Sequence, residues 1–389
     1  KMPEAHLFFT TLAFPHGAFG ATLIIVSLWL SLSVLSPITG PLRRVALAIA
    51  AGFANLALGI TYPFLIYLIA LTLGLYVALR MIQARRVLWQ EGVILSLAFL
   101  IPAPLYLYYI STLASNPVFR AWEAQSITLS PPLPHYLIAY GVMLTLSILP
   151  LLQGRNAVND PSGRFDLLWC WLIAAALMVY APINPQRRFV EGLQIPLSIL
   201  ATRGLVQIGL PWLRNTGVFR RIASRRGYSA WRLEGLAVML FIAGMSISNV
   251  YLFASVSITA AIQQPYPFFR SRAETDAVTW LSANAKAGEV VLSGYETGSY
   301  IGALTPQRVV VGHWAETVNY EDKLKEVATF FNSATTDETR AEILSRENVS
   351  YVWVGEEERA VGKFDPQRAD HMQPVFVNSD IAIYRVEGH

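Results

Sequence analysis

The chain of 389 residues is 54% hydrophobic and has a net charge of +4, and the two signs are distributed unevenly. Residues 1–265 carry 18 basic and 7 acidic side chains, whereas residues 266–389 carry 12 and 19. We therefore predict a multi-pass α-helical membrane domain over 1–265 and a soluble α/β domain over 266–389. The basic excess then follows from membrane topology and argues against a nucleic-acid-binding protein. The single cysteine, Cys170, excludes an internal disulfide.

The first sixteen residues, which end in Pro15-His16, are typical of an interfacial segment. They lack the basic region and apolar core of a cleavable signal peptide. Because Lys1 precedes Met2, we expect the numbering to begin inside a longer gene product.

Eight apolar segments of about the length of a membrane-spanning helix follow. They are Gly17–Ser36, Val45–Ile60, Phe64–Leu79, Val93–Ile110, Tyr136–Leu152, Leu167–Ala181, Phe189–Val206 and Leu233–Val256. Pro102 and Pro104 should kink the fourth, since proline removes backbone donors.

The arginines between these segments orient the chain, because basic residues concentrate in cytoplasmic loops. One set of alternate loops holds Arg43, Arg44, Arg80, Arg85, Arg86, Arg155, Arg164, Arg214, Arg220, Arg221, Arg225 and Arg226. The opposite side has only Arg120, Arg187 and Arg188, besides Lys1. We therefore place the protein in the cytoplasmic (inner) membrane, with the N-terminal segment, the 111–135 loop, the arginine pair and the C-terminal domain outside.

The 111–135 loop is longer than a simple connector and rich in aromatic and polar residues. Trp122, His135 and Tyr136 are candidates to stack on a sugar ring, and Glu123 and Gln125 to bind hydroxyl groups. Anchoring at the lipid headgroups explains the aromatic residues as well, since tryptophan and tyrosine are enriched there. Both interpretations stay open.

Arg187 and Arg188 stand between two apolar segments, close to Glu191. Arginine near a bilayer is costly unless it reaches water, an anion or a carboxylate. Two guanidinium groups can hold a phosphate in bidentate fashion. Alternatively, the two arginine side chains extend to the lipid–water interface, or they form a salt bridge with Glu191.

The C-terminal part alternates short β-rich runs with helical ones. The predicted strands are 290–293, 308–311, 351–354 and 381–385, and the predicted helices are 273–284, 320–332 and 337–346. This alternation favours an α/β sandwich with a mostly parallel sheet. His313, Glu316 and Thr317 follow the second strand, where such sheets build sites, although a capped helix start or a solvated turn is the simpler explanation. The histidines are too scattered to indicate a metal site.

Four stretches together resemble bacterial membrane glycosyltransferases of the GT-C fold, in the mannosyltransferase-like group that uses polyprenyl-phosphate sugars. They are PEAHLFFTTLAFPH at 3–16, NPVFRAWEAQSITLSPPLPHYL at 116–137, INPQRRFVEGLQIPLSIL at 183–200, and VGHWAETVNY with a following FF at 311–331. The chain resembles the C-terminal two thirds or so of these enzymes. The resemblance implies a lipid-linked donor whose sugar passes to an acceptor at the outer membrane face.

On this resemblance Arg187 and Arg188 match the positions expected to hold the lipid phosphate. The loop positions expected to face the same cavity are Glu4, His16, Trp122 and Gln125. Such enzymes usually carry a catalytic aspartate in the first outside loop, after the first span. Here Glu4 is the only acid in the first outside segment. We expect the upstream spans and their aspartate to be missing from this chain, with Glu4 as the weaker candidate for the base.

The sequence therefore predicts a membrane glycosyltransferase, or its C-terminal portion, with membrane lipid and a polyprenyl-phosphate sugar as its partners. No cofactor motif is evident, and a divalent metal ion is the one cofactor left open. One alternative is a non-catalytic membrane scaffold whose outer α/β domain binds a partner protein. A lipid or polymer transporter is a third hypothesis, weakened because we expect no buried acids in the spans and see no evident inverted repeat.

The topology is tested by labelling single cysteines at positions 224 and 333 in a Cys170→Ala background. We expect an impermeant maleimide added to intact cells to label Ser333→Cys and to spare Ser224→Cys, because the arginine-rich loop faces inward. Labelling of position 224 with protection of position 333 would reverse the assignment.

Overall fold

The computed structural model describes residues 7–152, 164–225, 229–364, 366–369 and 371–387. The chain divides into two compact units, each treated by itself below. Unit 1 comprises Lys1–Ser115 and Ile127–Ala254, and unit 2 comprises Asn116–Ser126 and Ser255–His389. Compared with the expected division at residue 265, unit 2 begins earlier and takes in a short segment from between two predicted spans.

Helices dominate the chain up to residue 262. They are α1 (Leu7–Ala13), α2 (Pro15–Val34), α3 (Pro41–Thr61), α4 (Leu65–Ala84), α5 (Trp89–Leu100), α6 (Ala103–Ser115), α7 (Pro117–Gln125), α8 (Leu133–Leu152), α9 (Arg164–Met178), α10 (Gln194–Gly204), α11 (Leu210–Arg214), α12 (Gly217–Ala223) and α13 (Ala230–Ile262). A 3-10 turn (Gln186–Val190) precedes α10, and a π-helical turn (Leu205–Gly209) follows it.

Six helical segments in the described part of the chain are long and apolar enough to cross a bilayer, and α5 with α6 supplies a seventh if the bent pair is one span. That pair bends by 51°, at the prolines where the sequence predicts a kink. The predicted span Leu167–Ala181 corresponds to α9, which has 15 residues and directly follows the undescribed residues 153–163. The structure thus supports six or seven spans by length and composition, and the count of eight stays a prediction.

The apolar interior of unit 1 contains a small polar cluster that joins three helices. The Ser27 hydroxyl in α2 donates to Asn55 Oδ1 in α3 at 2.6 Å, and Asn55 Nδ2 donates to the Ala98 carbonyl in α5 at 2.9 Å. Ser27 and Asn55 are fully buried. Because an unpaired polar group in such surroundings is costly, this cluster fixes how the three helices pack.

Unit 2 contains a five-stranded sheet with helices α14 (Arg272–Asn284), α15 (Tyr295–Leu304), α16 (Tyr320–Phe331), α17 (Asp337–Arg346) and α18 (Glu356–Val361). The strands are β1 (Val290–Leu292), β2 (Arg308–Val309), β3 (Val349–Val354), β4 (Met372–Val377) and β5 (Ala382–Val386). Their spatial order is β2-β1-β3-β5-β4.

The sheet is mixed, so the expectation of a mostly parallel sheet is wrong for half of it. β1 runs parallel to β2 and β3, whereas β5 runs antiparallel to both β3 and β4. The missed strand, β4, contains Pro374 and exposed residues next to it. Proline is largely confined to edge strands, and β4 is an edge strand. Because Pro374 interrupts the pattern of strand-forming residues, the sequence did not indicate this strand.

Helix α15 packs closely against the chain that continues β2. A Cβ atom added to Gly298 would lie 1.9 Å from the Val311 carbonyl oxygen, a distance that no side chain tolerates. At Gly302, one turn later on the same helix, the nearest atom to an added Cβ is Val309 Cγ2 at 3.8 Å, an ordinary contact. The glycine at 298 therefore sets the approach of α15 to the sheet.

Replacing Gly298 by alanine should force α15 away from the sheet and destabilise this part of unit 2 by about 1–3 kcal/mol, the usual range for overpacking. Gly302→Ala is the matched control and should be neutral or stabilising by up to about 1 kcal/mol, since alanine favours helix. Hydrogen exchange at the β1 and β2 amides of the full-length protein in detergent measures both effects. Equal protection in the two variants would contradict the close contact.

Candidate functional site

The predicted arginine pair lies in unit 1, in the 3-10 turn at Gln186–Val190. A neighbouring strand-like segment holds this turn: the Thr128 N–H donates to the Asn184 carbonyl at 3.1 Å, and the Arg187 N–H donates to the Thr128 carbonyl at 3.1 Å. Gly192 follows two residues after the turn, with a left-handed φ of 77° that favours glycine. Backbone bonds and a glycine thus fix where the two guanidinium groups emerge.

The Arg188 side chain rests on an aromatic ring. Its guanidinium carbon lies 5.8 Å from the centre of the Phe64 ring, within the range of a cation–π contact. In the part of the chain that the structure describes, no carboxylate lies within 4.0 Å of this guanidinium. Both arginines are partly exposed, and Glu191 just after the turn is only 6% exposed. Arg188 is therefore held in place with its charge available to an anion.

A row of aromatic rings connects Arg188 with His16. The ring centres lie 5.4 Å apart for His16 and Tyr62, 5.5 Å apart for Tyr62 and Phe64, and 6.1 Å apart for Phe64 and Phe189. Gly20 in α2 makes room for this row, because an added Cβ would lie 2.7 Å from the Tyr62 ring. Sequence reasoning did not select Tyr62 or Phe64; the signal was the aromatic pair at the junction of two spans.

The N-terminal segment also reaches the start of α10. The Leu7 N–H donates to Gln194 Oε1 at 2.6 Å, which ties α1 to the helix that follows the arginine turn. Glu4, the weak candidate for the base, lies outside the described residues. Contacts through Tyr62 and Phe64 thus connect His16 with Arg188, and the functional roles of His16, Glu4 and the arginine pair stay predictions.

His135 stands apart from this group. It is exposed near the start of α8, and its Nδ1 atom lies 3.3 Å from the Pro132 carbonyl. Among the described residues no group of three His, Cys, Asp or Glu side chains is placed to hold a metal ion. We therefore derive no chemical step through a metal.

Trp122 and Gln125 lie in α7, which belongs to unit 2. The Gln125 side chain is bonded to backbone at both ends: Nε2 donates to the Thr317 carbonyl at 2.7 Å, and Oε1 accepts from the Asn319 N–H at 3.1 Å. Trp122 Nε1 is buried and has no hydrogen-bond partner among the described residues. In this structure Gln125 holds the loop after β2 in place.

The crevice at the carboxyl ends of β1 and β3 is filled by the protein itself. Glu358 accepts hydrogen bonds from the N–H groups of Gly294 at 2.7 Å and Gly355 at 2.8 Å. Glu357 accepts from the Thr297 N–H and hydroxyl at 2.7 and 2.8 Å. Parallel strands whose connections diverge, as here, form the usual ligand crevice of such sheets. Two carboxylates take up the backbone donors that would bind a ligand there.

Burial raises the pKa of Glu358, the nearby charge of Glu357 adds to the rise, and the Gly294 N–H opposes it. Above about pH 4.3, the ordinary value, the folded state therefore keeps this proton longer than the unfolded state does. The free energy of unfolding should fall as the pH rises from about 4.3 through the raised pKa of Glu358.

In calorimetry between pH 4.5 and 7.5, the Glu358→Gln variant should show a smaller fall in the free energy of unfolding than the parent protein. Glu356→Gln, exposed on the same helix, should follow the parent protein, and identical profiles for all three would contradict the assignment.

The chain matches no family model and no curated protein. Among solved structures it is similar to the C-terminal globular domain of an oligosaccharyltransferase from Archaeoglobus fulgidus, at 16% identity over 30% of this chain and 99% of that one, with a TM-score of 0.25. It is also similar to an A. fulgidus oligosaccharyltransferase tethered with an acceptor peptide, at 14% identity over 87% of this chain and 51% of that one (TM-score 0.46).

A further similar structure is the A. fulgidus oligosaccharyltransferase AglB in complex with an inhibitory peptide and a dolichol-phosphate, at 14% identity over 87% of this chain and 52% of that one (TM-score 0.44). The present chain spans about half the length of these two larger structures. At such identities and TM-scores the similarity carries no argument about chemistry. The three solved structures named here are Archaeoglobus fulgidus oligosaccharyltransferases or a domain of one.

Proposed function

We propose that this protein is a membrane glycosyltransferase, or the larger part of one, in which Arg187 and Arg188 bind the phosphate of a polyprenyl-phosphate sugar. The observation that carries the proposal is the Arg188 guanidinium, seated on Phe64 with no carboxylate beside it in the described residues. A cation kept unneutralised at the end of an apolar helix requires an anionic partner or water. A lipid phosphate at the membrane surface is the anion that fits this position.

The chemistry of glycosyl transfer explains why cations belong there. The bond between the anomeric carbon and the phosphate oxygen breaks, and the phosphate leaves with the bonding electrons. Guanidinium groups aimed at those oxygens stabilise the developing charge. The acceptor hydroxyl attacks the anomeric carbon and gives its proton to a base. We assign no base among the described residues, and Glu4 stays a weak candidate.

The aromatic row gives the site a place for the sugar. The exposed His16 ring lies 5.4 Å from the buried Tyr62 ring, and an exposed ring face packs well against the C–H face of a sugar. Under this proposal the phosphate lies at the arginines, and the sugar extends toward His16. The orientation in the membrane is also part of the proposal, and it is supported by the concentration of arginines in one set of alternate loops. The site and unit 2 then face the outside of the cytoplasmic membrane, where the acceptor is.

The proposal is tested by measuring the affinity of the detergent-solubilised protein for a polyprenyl phosphate. Arg188→Ala should weaken binding by at least tenfold, corresponding to about 1.5–3 kcal/mol for a hydrogen bond to a charged group. Arg188→Lys should also weaken binding, because the planar fork is lost. Arg221→Ala is the matched control: this exposed arginine in α12 lies far along the chain from the site, and its loss should leave the affinity unchanged.

Binding of the uncharged polyprenol separates phosphate recognition from general lipid affinity. We expect Arg188→Ala and the parent protein to bind the alcohol equally, since the contact is made to the phosphate. Unchanged phosphate affinity in both Arg188→Ala and Arg187→Ala would contradict the proposal. It would leave the pair as an interfacial anchor and favour a scaffold function.

A further inference from the structure

The loop between β2 and α16 in unit 2, residues 312–319, is closed by its own hydrogen bonds. The His313 carbonyl accepts from the N–H groups of Glu316 at 2.9 Å and Thr317 at 3.0 Å, and the Thr317 hydroxyl accepts from the Gly312 N–H at 3.1 Å. The two bonds from the Gln125 amide fix its far end. The loop is therefore ordered before any ligand arrives, which lowers the entropy cost of binding.

This loop presents aromatic and polar side chains to solvent. Trp314 is 45% exposed, and its ring centre lies 6.0 Å from that of His313, with 34° between the planes. His313 and Glu316 are exposed beside it. In α7, one turn from Gln125 and on the same side of that helix, Trp122 has a buried indole N–H for which the described residues offer no acceptor. Such a donor costs free energy unless an acceptor reaches it.

The loop also stands where α/β sheets place ligands. It leaves the carboxyl end of β2, and the neighbouring crevice between β1 and β3 is already filled by Glu357 and Glu358. At this edge of the sheet the loop exposes the Trp314 indole, the His313 imidazole and the Glu316 carboxylate.

We propose that the surface formed by His313, Trp314 and Glu316 binds a pyranose ring. The indole face packs on the C–H face of the sugar, and tryptophan combines a large apolar face with a polar N–H. Glu316 accepts hydrogen bonds from sugar hydroxyls, and His313 donates or accepts according to its tautomer. Gln125 acts as a positioning residue that holds the loop. The site is separate from the arginine turn and does not depend on phosphate binding there.

A bilayer surface is the other partner that an exposed tryptophan suggests, and the charges disfavour it. Segments that dock on anionic membranes carry clustered lysine or arginine. Residues 312–319 contain Glu316 and no basic residue other than His313, and residues 266–389 carry a net charge of −7. Polar groups that suit hydroxyls surround the indole, so a neutral sugar is the better match.

The test uses the full-length protein in a detergent without a sugar headgroup. Saturation-transfer NMR with methyl α-mannopyranoside and methyl α-glucopyranoside should show transfer to the ring protons of at least one of them. Trp314→Ala should reduce that transfer at least fivefold. Trp231→Ala, which removes an indole that is 81% exposed in α13, is the matched control and should retain it. Arg188→Ala should also retain it, which separates this site from the phosphate site.

Gln125→Ala tests the positioning role. It should lower the saturation transfer and speed hydrogen exchange at the amides of residues 312–319. Gln125→Glu keeps one acceptor for the Asn319 N–H, so this variant should be affected less.

Equal saturation transfer in Trp314→Ala and the parent protein would overturn the proposal. Quenching of Trp314 fluorescence by brominated lipid in nanodiscs, measured as the difference from Trp314→Ala, would also overturn it by showing a membrane anchor.

Discussion

A pair of guanidinium groups in the 3-10 turn before α10 is the constraint on which the proposed site in unit 1 depends. Such charges are costly near hydrocarbon unless they are positioned and partnered. The structure positions them with backbone bonds to Thr128, a left-handed glycine at 192, and the Phe64 ring beneath Arg188. These features come from segments far apart in the chain, so the turn exists only once the helices have packed.

The row of aromatic rings connects the arginine turn with His16, so that the proposed site includes residues of α2 and of the junction between α3 and α4. Tyr62 and Phe64 lie at the junction of α3 and α4, where the chain reverses, and they fill the space between His16 and the arginine turn. Gly20 permits the row because α2 approaches the Tyr62 ring too closely for a side chain. The same device recurs in unit 2, where Gly298 lets α15 meet the backbone at Val311. In both units, missing side chains set the distance between elements that carry candidate functional groups.

Unit 2 uses its carboxylates for its own fold. Glu357 and Glu358 occupy the N-terminal donors of α15 and the adjacent loop, which closes the crevice that a sheet of this topology would offer to a ligand. The exposed functional groups at that edge then belong to the loop after β2. Gln125 links that loop to α7, a helix contributed by the segment between two predicted spans. The region thus combines residues that are nearly two hundred positions apart.

The sequence by itself determined the architecture in outline, a series of long apolar helices followed by an α/β region, because apolar length and charge asymmetry report directly on the environment of each segment. It placed the long apolar helices, four of the five strands and the kink at Pro102, and it missed short helices such as α1 and α12. Its choice of Arg187, Arg188 and His16 as site residues stays a prediction. Tertiary structure decided what no local pattern encodes. The antiparallel half of the sheet depends on pairing between β3, β5 and β4, and β4 carries too weak a pattern to be recognised alone. The seating of Arg188 on Phe64 and the bonding of Gln125 to Thr317 and Asn319 are contacts between distant segments, which form only when the chain has folded.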